Sequence, residues 1–110
     1  MERNNQKGIP IDITADLSTS AATIFDVPEG YILEIDEIVI QNGGTAGTIT
    51  LTDEGTYKDG STAYSKTVHK EYIGANGFDD TRNVAVRCFA TLKGIHSAAT
   101  GTVIVKGRMI

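Results

Sequence analysis

The feature that most constrains this chain is a series of short runs rich in Val, Ile, Thr, Tyr and Phe, separated by turn residues. The runs read PIDITADL, AATIFDV, YILEIDEIVIQ, GTITLTDE, AYSKTVHKEYI, NVAVRCFATLK and GTVIVKGRMI. Such runs, bounded by Gly, Asn, Asp or Ser, are typical of strands. A helix needs apolar residues three and four positions apart over about eleven residues, which no glycine-free window provides convincingly. The pattern predicts an all-β protein of about seven or eight strands.

Alternation within the strands predicts two packed layers. In residues 84 to 93, apolar and polar side chains occupy opposite faces: Val84, Val86, Cys88, Ala90 and Leu92 on one, Arg87, Thr91 and Lys93 on the other. This hydrophobic-in, polar-out alternation is typical of antiparallel sheets. A half-buried sheet needs a second layer to cover it. We therefore expect an antiparallel β-sandwich of jelly-roll type, with a small barrel as the alternative.

The length of 110 residues suits one domain with one core. The start, MERNNQKG, has no apolar periodicity, whereas Ile9, Ile11 and Ile13 share one parity. We expect a flexible N-terminal arm over residues 1 to 8 and a single sandwich domain over residues 9 to 110.

Charge and cysteine content exclude several classes of function. A formal charge of −4, without a local Lys/Arg cluster, argues against nucleic acid and membrane surfaces as partners. No run approaches the roughly 18 apolar residues of a membrane span, and the polar start lacks the apolar segment of a signal peptide. A single cysteine, Cys88, permits no internal disulfide and gives no metal-ligand spacing.

The stretch from residue 27 to residue 41 combines a turn with the densest apolar run. Pro28 and Gly30 suit the second and fourth positions of a type I turn, which predicts a hairpin. In the strand that follows, apolar residues occupy odd positions up to Ile35 and even positions from Ile38. A β-bulge at Asp36-Glu37 would restore one apolar face. The alternative is a strand buried on both sides after residue 37.

Residues with catalytic chemistry occur singly. His69 alternates with Glu71, which suggests either a proton relay or, as we expect, a solvated outer strand face. His96 precedes Ser97, but adjacency in sequence is not the geometry of a triad, so we expect a flexible loop. Cys88 lies on an apolar strand face, which predicts a buried and unreactive thiol.

Carboxylates could mark a calcium site. Asp53, Glu54 and Asp59 flank TDEGTYKDGS, and Asp79-Asp80 lie in NGFDDTRN. Neither stretch has the alternating Asp spacing and distal Glu of a calcium loop. Turn chemistry explains these residues equally well, so we predict no metal site.

Sugar chemistry is the other use of paired carboxylates. Glu34, Asp36 and Glu37 resemble such a set, but glycoside hydrolysis needs an aromatic-lined groove and the chain has no Trp. Four tyrosines could supply stacking faces, namely Tyr31, Tyr57, Tyr64 and Tyr72. Tyr64 and Tyr72 share parity with Val68, which favours the core or a subunit interface. We predict no catalytic, cofactor-binding or metal residue, and no enzyme.

The stretch FDVPEGYILEIDEIVIQNGGTAGTITL has a distinctive order of elements. It joins a Val-Pro-x-Gly turn, a long apolar strand, an Asn-Gly turn and a Thr-rich strand. Over about residues 23 to 52 it resembles small β-sandwich structural proteins of tailed phages. The resemblance implies a virion component, such as a head decoration (cement) protein or a tail or fibre accessory domain, that acts as an oligomer without catalysis. No functional residue is carried over, since the shared motif is structural.

Two hypotheses of function follow. The first is a non-catalytic capsid decoration protein that binds and stabilises the head surface. It would be made in the host cytoplasm, assemble as a closed homo-oligomer such as a trimer, and contact the major capsid protein or another virion surface. The alternative is a carbohydrate- or small-ligand-binding β-sandwich module. Neither requires a cofactor.

Overall fold

The computed structural model describes residues 8–57 and 59–110, and every structural statement below refers to them. They form eight strands: β1 Ile9–Leu17, β2 Ala22–Asp26, β3 Leu33–Asn42, β4 Gly47–Thr56, β5 Ala63–Ile73, β6 Phe78–Cys88, β7 Thr91–His96 and β8 Gly101–Met109. The first strand begins at Ile9, which is also the first of the alternating apolar residues Ile9, Ile11 and Ile13. Residues 1 to 7 of the expected arm lie outside the described residues, so the flexible arm stays a prediction.

The strands form two four-stranded antiparallel sheets, β1-β8-β3-β6 and β2-β7-β4-β5. Strands therefore pair in a nested way, the first with the eighth, the second with the seventh, the third with the sixth and the fourth with the fifth. This nesting defines a jelly roll, so the predicted β-sandwich is confirmed.

The core lies between the sheets and consists of the inward-facing apolar side chains. The largest fully buried ones are Leu17, Leu33, Ile35, Ile38, Ile40, Ile49, Leu51, Leu92, Val103 and Val105. Along β4 as far as Asp53, and along β7, every second residue is buried, as the alternation predicts. Burial of these side chains provides the main stabilisation of the fold.

A β-bulge interrupts β3 where the sequence predicts it. Ile35 pairs with Gly107 and Glu37 with Lys106, so Asp36 has no partner on β8. The pairing with β6 is interrupted at the same place, where Ile35 pairs with Val86 and Glu37 with Arg82. The extra residue shifts the alternation of inward and outward side chains by one position. As a result, both Ile35 and Ile38 point into the core and are fully buried. The prediction of a bulge at Asp36-Glu37 is confirmed.

The predicted hairpin after Val27 is wrong. The strands β2 and β3 lie in different sheets, so the intervening turn carries the chain across the sandwich. The turn also lies one residue later: the Tyr31 amide donates to the Pro28 carbonyl at 3.1 Å, with Gly30 at the third position and a φ of +89°. A positive φ at that position fits a type II turn and not the expected type I.

A second bulge, in β5, is absent from our sequence predictions. Leu51 pairs with His69 and Thr52 with Thr67, so Val68 is the extra residue. Beyond this bulge the odd-numbered side chains of β5 point inward and the even-numbered ones outward, and Tyr72 is 70% exposed. The prediction that Tyr72 lies in the core is therefore wrong, while a subunit interface stays a prediction.

The two ends of the sandwich differ in the segments they carry. One end, the Ile9 end, holds the start of β1, the last residue Ile110, and the β2–β3, β4–β5 and β6–β7 connections. The other, the Leu17 end, holds the remaining connections, including those that follow Asn42 and His96.

Candidate functional site

His96 is a buried structural residue and not the flexible loop residue that we expected. It ends β7 and is 0% exposed. Its Nδ1 accepts hydrogen bonds from the amides of Ala98 and Ala99 at 3.1 and 2.9 Å. Nε2 therefore carries the proton and donates to Asn42 Oδ1 at 2.8 Å. Gly47 is required beside the ring, because a Cβ there would overlap His96.

Asn42 completes this buried pair and was missed by sequence reasoning. Its Nδ2 donates to the Thr45 carbonyl at 3.0 Å and to the Gly74 carbonyl at 2.8 Å. The neighbouring Ser97 uses its hydroxyl to accept from the Thr48 amide at 2.8 Å. The histidine and the serine thus bind backbone groups, and the arrangement supports connections at the Leu17 end.

Asp53 stabilises the β6–β7 connection at the Ile9 end. Its carboxylate is 0% exposed and accepts from the amides of Phe89 and Ala90 at 2.9 and 3.0 Å. Asp59 similarly accepts from the Thr62 hydroxyl and from the amides of Thr62 and Ser61, and these bonds lower the pKa of Asp59 to about 2. Both carboxylates therefore bind backbone amides of turns. Among the described residues, no group of three or more potential metal ligands occurs.

Cys88 is fully buried, as its apolar face predicts. Burial, followed by the nearby Asp53 carboxylate, raises the pKa of the thiol to about 12. A thiol in this state has almost no thiolate at neutral pH. That it is unreactive stays a prediction.

His69 and Glu71 lie on the inner side of the sandwich edge, not on the predicted outer face. The bulge at Val68 turns both inward, where His69 Nε2 lies 2.8 Å from Glu71 Oε1. Across the gap between the sheets, Asp79 Oδ2 accepts from the Thr81 hydroxyl at 2.8 Å. We call these four residues the edge cluster.

Two carboxyl groups of the edge cluster face each other from different sheets. Burial, and then a hydrogen bond to Asp79, raise the pKa of Glu71. Hydrogen bonds from Glu71 and Thr81 lower the pKa of Asp79. In the acid range, a proton shared between Glu71 and Asp79 would therefore connect the edges of the two sheets.

The carboxylates considered for sugar hydrolysis lie on the outer face of the first sheet. Glu34 lies 3.4 Å from Arg108 and 3.6 Å from Arg87, and Asp36 lies 3.3 Å from Arg108. Glu37 has Arg82 at 3.6 Å. Each carboxylate thus faces an arginine on an open surface, which does not provide the acid and base of a hydrolase.

An aromatic cleft opens at the Ile9 end between the β4–β5 hairpin and the β6–β7 connection. Its volume is about 650 Å³, and we define it by Tyr57, Tyr64, Lys66 and Phe89, with Asp53, Thr56 and Ser65 contributing to the lining. The rings of Tyr57 and Tyr64 are 5.3 Å apart and inclined by 46°. Lys66 Nζ lies 5.0 Å from the centre of the Phe89 ring. Our sequence predictions included the two tyrosines as possible stacking faces but neither Lys66 nor Phe89.

Three large apolar side chains of the Ile9 end are exposed, close to the first and last strands of the sheet β1-β8-β3-β6. Ile9, Tyr31 and Ile110 are 48%, 43% and 42% exposed. Ile110 exchanges two backbone hydrogen bonds with Ile32, at 2.8 and 3.0 Å, and Gly8 contacts the end of β8. We call these three side chains the terminal apolar patch.

Comparison with known proteins shows the fold alone. No protein-family model and no curated protein matches the chain. Among solved structures, the chain is similar to the Drosophila NLP core, with a TM-score of 0.52 and 17% identity over 90% of this chain and 97% of that one. None of the described residues forms a helix that is long and apolar enough to cross a membrane.

Proposed function

We propose that this chain is a non-catalytic virion structural protein, a capsid decoration protein that binds the head surface as a closed homo-oligomer. The observation that carries the proposal is the terminal apolar patch. Large apolar side chains that are exposed together on a folded domain typically mark a surface that another protein covers.

The backbone holds the patch in place. Ile110 pairs with Ile32 beyond the end of β8, and Ile9 pairs with Met109 on the neighbouring strand. Because these positions are already ordered, a partner that covers them loses little additional conformational entropy of this chain. Each apolar side chain buried in this way contributes at about 25 cal/mol per Å² of area removed from water.

Two further observations support assembly on a virion. The NLP core, a structure with a similar fold, is described in connection with pentamer formation, so this type of sandwich is compatible with a closed ring. The sequence of about residues 23 to 52 resembles structural proteins of tailed phages, which points to a capsid surface as the partner. Both sheets also have edge strands that assembly can cover.

The test compares charged substitutions at the two ends. Light scattering should give an integer multiple of 11.7 kDa for the full chain. Ile9→Glu combined with Tyr31→Glu should lower the mass or abolish co-sedimentation with undecorated particles of the parent virus. The control, Ser20→Glu with Phe78→Glu, introduces two charges at exposed positions of the Leu17 end, away from the patch.

Circular dichroism and thermal unfolding must show that both double variants fold. A monomer that also fails to sediment with the particles would overturn the proposal. Equal binding by the two double variants would remove the terminal apolar patch from it.

A further inference from the structure

We propose that the aromatic cleft binds a small organic anion in which a flat apolar ring carries a carboxylate. This site is separate from the proposed capsid attachment, because none of the three residues of the terminal apolar patch lines the cleft. The inference rests on three features: aromatic walls that can contact a ring, the Lys66 ammonium beside them, and the buried Asp53 carboxylate that binds two of the walls.

The wall offers aromatic surface to solvent. Tyr57 and Phe89 are 58% and 51% exposed although both line a concave site. The inclined rings of Tyr57 and Tyr64 leave edges and faces available to a third ring, which aromatic groups contact favourably in offset or tilted arrangements. The cleft is thus complementary to a flat apolar group.

The cation comes from Lys66. Its Nζ donates to the Arg87 carbonyl at 3.1 Å and lies beside the Phe89 ring. An ammonium group has three donors. In the part of the chain that the structure describes, no carboxylate lies within 4.0 Å of this ammonium. Lys66 therefore keeps donors and charge for an anionic group of a ligand.

The nearest acidic side chain does not compete for that role. Asp53 is opposite Lys66 in the β4–β5 register, but its oxygens accept from the amides of Phe89 and Ala90 and, at 3.4 Å, from the Tyr64 hydroxyl. The Asp53 carboxylate therefore forms its hydrogen bonds within the protein and does not pair with the Lys66 ammonium. By binding Tyr64 and the Phe89 backbone together, it also fixes two walls of the cleft before any ligand arrives.

Gly55 positions the remaining wall. A Cβ at this position would lie 3.0 Å from the Tyr64 hydroxyl oxygen and 2.5 Å from Ala90 Cβ. The absence of a side chain lets the Tyr64 ring lie against the backbone of β4. Since Gly55 and Thr56 pair with β5 only, the β4–β5 hairpin continues past β7 and carries Tyr57 over the cleft.

A neutral sugar fits the cleft less well. A sugar ring presents several hydroxyl groups that need acceptors, and the buried acceptor here, Asp53, already has its partners. A ring carboxylate needs one cation and apolar walls, which the cleft provides. Sugar binding is therefore an outcome that the test must distinguish.

The probe is 2-naphthoate, titrated into the full chain and followed by amide chemical shifts. Thirteen heavy atoms at a modest efficiency predict a Kd of about 1 mM. We expect shifts at Tyr57, Tyr64 and Phe89, and at least tenfold weaker binding by Lys66→Gln. The control Lys70→Gln, on the outer face of the same strand, should bind within about twofold of the original chain.

Three further ligands separate the parts of the proposal. Acetate tests the anion without a ring, 2-naphthamide the ring without a charge, and methyl β-glucoside the sugar alternative. Weaker binding of all three supports the proposal. Equal binding of 2-naphthamide or preferential binding of the glucoside would overturn it, as would the absence of naphthoate shifts at about 10 mM, since a complementary site should be half-occupied near 1 mM.

Discussion

His96 Nε2 lies 2.8 Å from Asn42 Oδ1 in the buried interior at the Leu17 end, and this hydrogen bond joins a strand of one sheet to a strand of the other. The other ring nitrogen, Nδ1, accepts hydrogen bonds from the amides of Ala98 and Ala99, so both nitrogens of the imidazole have partners. A buried network of this kind stabilises a fold only while all its members are present.

Removal of either member should therefore destabilise the protein. We expect His96→Ala and Asn42→Ala each to lower the free energy of unfolding by about 2–4 kcal/mol, because each leaves buried polar groups without partners. The double variant should lose less than the sum of the two. Urea unfolding measures these values, with the exposed neighbour Gln41→Ala as a control expected to change stability by less than about 0.5 kcal/mol.

Asp53→Asn should destabilise the Ile9 end. The carboxylate accepts two backbone amides, and an amide side chain can accept with only one of its two end groups. We expect a loss of about 2–3 kcal/mol in the free energy of unfolding. Glu54→Gln, at the adjacent outward-facing position, is the matched control; a loss as large there would contradict the assignment.

Cys88 should resist thiol reagents in the folded state. Its pKa of about 12 leaves almost no thiolate at pH 8, and the sulfur is buried. Reaction with a disulfide reagent should be slow in buffer and fast in urea. Rapid native labelling would show that this end of the core opens.

The same thiol predicts a loss of stability in alkali. The folded pKa is raised above the value of 9.0 taken for the unfolded chain. Its contribution is therefore complete below pH 9 and lost as the pH rises towards 12. Cys88→Ala should flatten this part of the pH profile of urea unfolding.

The edge cluster should make stability depend on pH in the acid range. Glu71 has a raised pKa, so its contribution is complete below the unfolded value of 4.5 and lost as the pH rises through the folded pKa. Asp79 has a lowered pKa, so its contribution is present above 3.8 and lost below the folded pKa. We expect the contribution of the pair to be greatest near pH 4.

Glu71→Gln tests this expectation, because the variant stays neutral at every pH. Its urea midpoint should depend less on pH, as the pH rises above the unfolded value of 4.5, than that of the original chain. Glu29→Gln, in the exposed β2–β3 connection, should leave the profile unchanged. An unchanged profile for Glu71→Gln would exclude this role of the edge cluster.

Deletion of Asp36 should abolish folding, whereas Asp36→Ala should be tolerated. The deletion removes the bulge and turns either Ile35 or Ile38 outward, since both are buried only because of the extra residue. The substitution keeps the residue count and loses one surface ion pair, worth about 1 kcal/mol or less. Circular dichroism and thermal unfolding distinguish the two variants.

Local patterns in the sequence were sufficient to predict the strands, the sandwich and the bulge at Asp36, because the alternation of side chains is a property of the extended chain itself. The burial of Cys88 followed from the same alternation. By contrast, the turn at Pro28 was predicted as a hairpin, since its residues do not encode which strand the next one pairs with.

The tertiary structure alone decided the candidate sites. His96 meets Asn42, Asp53 meets the Phe89 amide, and Lys66 meets the Phe89 ring only because the jelly roll joins segments that are far apart in the chain. A polar residue between turn residues looks the same in sequence whether it faces solvent or caps a distant turn. The difference arises from long-range pairing, in which the burial of apolar surface selects the partners and the polar side chains then bind the backbone groups that they meet.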